Sequence, residues 1–284
     1  MKIACVQMTT ACDPAQNLEV IGAQIAAAAS AGAQLVALPE TCVFMEKNRA
    51  AMQARLEAEA ESAALAQLQD MARKNKVSLL VGSMILASEK FDKDEESDKA
   101  VNRCLLIAPD GQVQARYDKI HMFDVELENG ERHQESAAYQ AGDRLVTAEV
   151  EGVSLGLSIC YDVRFPALYR RLAEAGAQII FVPSAFTKQT GEAHWHILLR
   201  ARAIETGCFI VAPAQIGSHE NGRETFGHSL IVNPWGRIIA EADADDGHIM
   251  AEIDLALVAR ARRQIPALQH GATYQTPQGD AAQD

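Results

Sequence analysis

Residues 153–166 read VSLGLSICYDVRFP. Val153 to Ile159 predicts a buried strand, the residues after Cys160 a turn, and Pro166 the first position of a helix running to about Glu174. Gly176 is placed to close that helix, and Ile179 to Val182 predicts a further strand ending at Pro183-Ser184. Strand–helix–strand order of this kind belongs to the α/β class. Cys160 stands where strand gives way to turn, so its side chain leaves the end of a sheet and enters a cleft.

The same plan recurs upstream. Residues 2–8 predict a strand. Asp13 and Pro14 read as an N-cap and first helical position, and Leu18, Ile21, Ile25 and Ala28 follow at helical spacing. Gly32 stops that helix, and Leu35 to Leu38 forms a short strand ending at Pro39-Glu40. A helical stretch covers roughly 50–75, strongest from Ser62, and Val77 to Leu86 is a buried strand. Residues 88–99 are charged and read as a solvated loop. Hairpins are expected at 101–120 around Pro109-Asp110-Gly111, at 146–159 around Glu151-Gly152, and at 230–241 around Pro234-Trp235-Gly236. Residues 121–144 carry no clear period, and long irregular segments in compact domains are usually functional. A helix at 192–206, strands at 208–214 and 248–253, and a basic helix near 256–263 complete a single domain over 1–270. Residues 271–284 read as a polar, mobile tail.

A chain of 284 residues buries enough surface to need no disulfide or metal staple. Hydrophobic residues at 48% and charged residues at 23% place it among globular proteins and exclude disorder as its main state. No apolar run approaches about 18 residues, so no membrane span is expected. A net charge of −12 argues against a nucleic-acid surface. The opening MKIACVQM lacks the plan of a signal peptide, and the six cysteines form no C-x-x-C pair, so a cytoplasmic protein with reduced thiols is expected.

Cys160 needs a base or a cation to become a nucleophile, because a free thiol titrates near 8.5. The amide of Tyr161 follows it directly and is placed to stabilise an oxyanion. Glu40 and Lys119 lie at comparable strand ends. A carboxylate closing the apolar run LVALP is costly unless it is used or paired. A Glu, a Lys and a Cys form a complete set: proton acceptor, cation and acyl carrier. Spacing alone does not bring them together. His194 and His196 are two apart on a predicted helix and do not share a face; no third ligand of fitting spacing accompanies them, so no metal is expected. Neither G-x-x-x-x-G-K-[ST] nor G-x-G-x-x-G is present, and no cofactor is implied.

LPE at 38–40, YDKIHMFD at 117–124 and SICYDVRFP at 158–166 resemble, in order, the three signature segments of the nitrilase (carbon–nitrogen hydrolase) superfamily. HWHILLRARAIE (194–205) and GHSLIVNPWG (227–236) resemble two more, so the likeness spans about residues 1–270. The resemblance implies a four-layer α-β-β-α sandwich, usually dimerised through its helices. It assigns Glu40 as general base, Lys119 as cation and Cys160 as nucleophile. DVE at 124–126, QES at 134–136, PSAF then Thr190-Gly191, and RARAIET at 200–206 are similar to the branch containing deaminated glutathione amidase and omega-amidase. That similarity makes Glu135 a second active-site carboxylate and turns Arg164, Phe186 and Thr190 toward substrate; unaided, Arg164 reads equally as a salt bridge supporting its turn.

The expected protein is thus an amidase that hydrolyses a small carboxylate-bearing amide through a thioester at Cys160, releasing ammonia. Its expected substrate is deaminated glutathione, with α-ketoglutaramate as alternative. Another aliphatic amidase, a nitrilase acting on nitriles and a non-enzymatic partner-binding member are the competing readings. The partners expected are a small-molecule amide and a second copy of the chain, with no nucleic acid and no membrane.

Overall fold

β1 (Lys2–Gln7) leads to Asp13, whose carboxylate accepts the Ala15 amide at 3.0 Å and caps α1 (Pro14–Ser30). Leu18, Ile21, Ile25 and Ala28 are the buried stripe of α1, as their spacing predicts. The computed structural model describes residues 1–88, 99–126, 130 and 132–272. Most of the acidic loop and of the polar tail therefore lies outside the described residues.

β2 (Leu35–Ala37) pairs parallel with β1. The helical stretch expected at 50–75 is interrupted. It divides into α2 (Arg49–Ala54) and α3 (Ala63–Asn75), the latter capped by Ser62. Residues 55–58 are good helix formers, but Leu56 is buried and the Glu57 carbonyl accepts the Ala87 amide at 2.9 Å. Tertiary burial and pairing with a strand end override local propensity there. β3 (Ser78–Ala87), β4 (Ala100–Ile107) and β5 (Val113–Asp118) follow. The aperiodic 121–144 segment holds a small hairpin, β6 (Asp124–Glu126) with β7 (Arg132–Gln134), too short to register as a pattern.

The second half adds β8 (Thr147–Val150), β9 (Val153–Leu157), α4 (Pro166–Glu174) and β10 (Ile179–Phe181). α5 (Lys188–Thr206) starts earlier than expected, because Thr187 caps it and Gly191 is accommodated in its first turns. A Cβ at Gly191 would lie 2.3 Å from the Phe226 side chain, so the glycine permits close approach of a neighbouring strand. β11 (Phe209–Ala212) is followed by a hairpin without sequence signal, β12 (Ile216–Ser218) with β13 (Glu224–Phe226). β14 (Leu230–Val232), β15 (Ile238–Glu241), β16 (Gly247–Glu252) and α6 (Ala256–Gln264) finish the described chain.

Two six-stranded mixed sheets result, ordered β16-β1-β2-β3-β4-β5 and β15-β14-β11-β10-β9-β8. Strand alternation sets the layers. Ile3 and Cys5 of β1 pack with Leu155 and Leu157 of β9 between the sheets. Ala4 and Val6 of β1 face the other way, onto Ile21 and Ile25 of α1 and Leu68 of α3. Each such fully buried Ile or Leu contributes about 1.5–3 kcal/mol. Leu168 of α4 and Leu199 of α5 cover the outside of the second sheet, completing the α-β-β-α sandwich. At Gly82 of β3 the sheets nearly touch: an added Cβ would sit 2.2 Å from the Leu38 carbonyl oxygen and 2.4 Å from Pro183. Two runs of parallel strands, β1-β2-β3 and β9-β10-β11, present their carboxyl ends there, the usual place for a site in α/β sheets.

Candidate active site

Glu40 leaves the end of β2, Lys119 the end of β5 and Cys160 the end of β9. The three converge. Lys119 Nζ donates to Glu40 Oε1 at 2.9 Å, and the Cys160 thiol lies beside the same carboxylate. Glu135 joins them, accepting from Lys119 Nζ through Oε1 at 2.8 Å and from the Phe123 amide through Oε2 at 2.6 Å. Glu40 Oε2 accepts the Ala185 amide at 2.8 Å, and Asn102 Nδ2 lies 3.0 Å from Glu40 Oε1. With Lys119 2% exposed and Glu40 4% exposed, two buried charges are tolerable because each is paired and hydrogen-bonded.

The backbone at Cys160 is left-handed, with φ 48°. A non-glycine residue held there stores about 1–3 kcal/mol and needs support from its surroundings. That support is visible: the Cys160 amide donates to the Pro183 carbonyl at 2.9 Å and the Ile159 amide to Asp162 Oδ2 at 2.9 Å. Asp162 is fully buried and also accepts from Tyr117 Oη at 2.7 Å and the His121 amide at 3.0 Å. One carboxylate therefore ties the turn carrying Cys160 to the segment carrying Lys119. Residues 160–164 form a 3-10 turn, and the Tyr161 amide is among its first N–H groups, which lack an intrahelical acceptor.

Burial alone would raise the Glu40 carboxyl, but the charges of Lys119 and Arg223 and the hydrogen bonds from Cys160 and Lys119 bring it below the ordinary carboxylate range. Burial pushes the Cys160 thiol up, and the Glu40 charge adds to this while Lys119 opposes it. Lys119 lies well above its ordinary value: burial lowers it, and the charges of Glu135, Glu40 and Cys160 more than compensate. The resting site therefore holds thiol, carboxylate and ammonium. Such an arrangement can pass the thiol proton to Glu40 as sulfur bonds to an electrophilic carbon, which is acyl-transfer chemistry.

These groups open into a cavity of about 470 Å³, which the other residues singled out from the sequence also line. The Arg164 guanidinium lies over the Phe186 ring at 5.3 Å and the Tyr161 ring at 5.9 Å. Among the described residues no carboxylate pairs with it; one guanidinium nitrogen lies 3.3 Å from His194 Nδ1. Thr190 Oγ1 lies 2.8 Å from Thr187 Oγ1 at the start of α5. Sequence reasoning missed Asn102, Asp162 and Arg223. Arg223 reaches the cavity from the β12–β13 hairpin, donates to the Ala185 carbonyl, and keeps its Nε buried without a hydrogen-bond partner among the described residues.

A family model described as carbon-nitrogen hydrolase matches residues 2–263. The chain belongs to the carbon–nitrogen hydrolase family. Deaminated glutathione amidase of Synechocystis sp. is 43% identical over 270 residues, covering 94% of this chain and 96% of the relative. The NitFhit protein of Caenorhabditis elegans superposes with TM-score 0.87 at 36% identity, covering 95% of this chain, which spans only 64% of that protein. An amidase of Nesterenkonia sp. AN1, solved with acrylamide added at its active site cysteine, superposes with TM-score 0.76 at 28% identity, covering 94% of this chain and 98% of that one. This carbon–nitrogen hydrolase is an enzyme acting on amides.

Glu135 gives the hydrolase a second carboxylate on Lys119. Glu135→Ala is expected to lower kcat by about 10²-fold, since it removes a charge from the reaction space and no core packing. Thermal melting is expected to change little, because Lys119 keeps Glu40 as a partner. A variant with wild-type kcat would show that Glu135 stands apart from the chemistry.

Proposed function

We propose that this hydrolase cleaves deaminated glutathione, with smaller ω-amides such as α-ketoglutaramate as weaker substrates. The observation that carries this reading is Arg164, a guanidinium unpaired with any carboxylate among the described residues, on the wall of the cavity that contains Cys160. Both substrates carry a carboxylate remote from the scissile amide, and guanidinium binds a carboxylate through two parallel hydrogen bonds. A protein of net charge −12 needs such a local cation to hold an anion. Arg223 supplies a second guanidinium in the same cavity. The name carried by the 43% identical relative favours the larger substrate.

In this mechanism Cys160 Sγ attacks the amide carbon while Glu40 takes the thiol proton. Lys119 and the Tyr161 amide stabilise the oxyanion. Glu40 returns the proton to the departing nitrogen, leaving a thioester on Cys160. Water, deprotonated by Glu40 and oriented by Glu135, then attacks the thioester carbon; the C–S bond breaks, Glu40 returns the proton to Cys160 Sγ, and the acid leaves. From a primary amide the departing amine is ammonia; from deaminated glutathione, whose scissile nitrogen carries the rest of the peptide, it is cysteinylglycine. Arg164, Phe186 and Thr190 position the substrate.

The enzyme works in this reading as a cytoplasmic homodimer on a free small molecule, away from nucleic acid and membrane. Six free thiols suit a reducing compartment. Ile197, Ile204 and Trp235, exposed by 70%, 53% and 58%, suit a second copy against the outer face of α5.

The test compares kcat/KM for deaminated glutathione, α-ketoglutaramate, neutral aliphatic amides and nitriles. The highest value is expected for deaminated glutathione. Arg164→Lys is expected to raise its KM about tenfold by replacing a planar fork with a single ammonium. Preference for neutral amides or nitriles, or an unchanged KM in the variant, would overturn the assignment.

A further inference from the structure

His196, His228 and Glu241 bring their ligand atoms within 4.8 Å of one another, away from the cavity that holds Cys160. The partners that the His194–His196 spacing did not offer to His196 come from elsewhere in the fold. His196 lies on α5, Glu241 ends β15, and His228 precedes β14. His194 does not join them; it stays beside Arg164. Glu241 Oε1 lies 2.8 Å from His196 Nε2 and 2.9 Å from His228 Nδ1, so one carboxylate oxygen faces two imidazole nitrogens.

The rings are held in place from several sides. His228 has a left-handed backbone, φ 54°, directly after Gly227 at φ 74°. Its carbonyl accepts Trp195 Nε1 at 2.8 Å, and Trp195 is the residue before His196, so the loop bearing one imidazole is pinned to the helix bearing the other. The ring of Phe226 stacks on His228 at 4.5 Å and meets His196 edge-on at 6.0 Å. A strained, pinned histidine aimed at a second histidine and a carboxylate exceeds what one solvated ion pair requires.

We propose that His196, His228 and Glu241 form a site for a divalent transition metal, zinc foremost. Two imidazoles and one carboxylate suit zinc rather than magnesium or calcium, which favour all-oxygen shells. Bonds of about 2.0–2.1 Å in a tetrahedron set ligand atoms roughly 3.3 Å apart. Small side-chain rotations open the present spacings to that value. Each neutral imidazole keeps its proton on the far nitrogen and turns a lone pair to the metal, and water takes the fourth position. The metal would join α5, which lines the cavity at its start, to the β14–β15 hairpin.

The test uses full-length protein stripped with a chelator and treated with iodoacetamide, so that the accessible thiols take no metal. It is titrated with Co²⁺ and then with Zn²⁺. One equivalent of Co²⁺ is expected, with visible d–d bands and no thiolate charge-transfer band, displaced by Zn²⁺. His196→Ala and Glu241→Gln are each expected to weaken binding at least tenfold and to remove the rise in Tm that Zn²⁺ gives the wild type. His228→Asn, which tolerates the left-handed backbone, should do the same if it folds. Absence of stoichiometric binding, a thiolate band after alkylation, or equal affinity in the wild type and a folded His196→Ala/Glu241→Gln protein would overturn the proposal.

Discussion

Cys160→Ala is expected to lower turnover by about 10⁴-fold or more while thermal melting stays near wild type. The substitution removes the acyl carrier, so no thioester forms, and what remains is binding and polarisation of the amide. Its packing effect is small: one sulfur is lost at the edge of a cavity, and alanine meets the same left-handed backbone that cysteine does. Cys160→Ser is expected to be nearly as inactive. A hydroxyl is far less acidic than a thiol, and Glu40, held below the ordinary carboxylate range, is a weak base for it. Cys5→Ala and Cys42→Ala serve as controls, since both thiols are buried away from the cavity lining. Steady-state hydrolysis with a melting curve on each variant is the measurement. Near-wild-type turnover in Cys160→Ala, with its loss in Cys5→Ala or Cys42→Ala, would remove Cys160 from the mechanism.

Lys119→Ala is expected to combine the second largest loss of activity with the largest loss of stability. Lys119 is the shared partner of Glu40 and Glu135. Its removal leaves the buried Glu40 and the partly buried Glu135 without the ammonium they share, which costs about 3–5 kcal/mol. At roughly 2–4 °C per kcal/mol for a chain of this size, Tm falls on the order of 10 °C. The pH dependence separates this from simple truncation. In the wild type Glu40 is lowered in the folded state, so its contribution is present above the unfolded carboxylate pKa and is lost as pH falls through the folded value. Lys119 is raised, so its contribution is present below the unfolded lysine pKa and is lost as pH rises through the folded value. In Lys119→Ala the buried Glu40 loses the charge that chiefly holds its carboxyl low, so its folded pKa rises and the variant gains stability relative to wild type as pH falls. Melting curves between mildly acidic and neutral pH would detect this. A difference in Tm that does not narrow on acidification would place the charges further apart than the 2.8 and 2.9 Å contacts imply.

Much of this arrangement is legible in the sequence because it is locally encoded. Asp13-Pro14 caps a helix wherever it stands, and a Cys between an apolar strand and a Pro-started helix projects from a sheet end in any fold of this class. The residues that escaped are those whose roles are purely tertiary. Asp162 reads as one more polar turn residue until Tyr117, Ile159 and His121 are seen to point at it. Arg223 sits in a stretch of Gly, Asn and Glu that reads as loop, and its hairpin is three residues a side. The break between α2 and α3 is hidden for the same reason: strand pairing at Glu57 acts against a sequence that favours helix. The meeting of Glu40, Lys119 and Cys160 spans two sheets, and no spacing in one dimension encodes it.

That division between the sheets has a consequence for how the molecule reaches its working state. Glu40 and Lys119 come from strand ends of the first sheet, and Cys160 from the second. A chain whose two sheets had not docked would have no turnover, whatever secondary structure it had formed. Helical content and catalysis therefore report different events as the chain refolds. Circular dichroism follows the layers as they form, and hydrolysis begins only when the two sheets close at Gly82 and the thiol meets its carboxylate. The onset of hydrolysis would therefore time the docking of the two sheets.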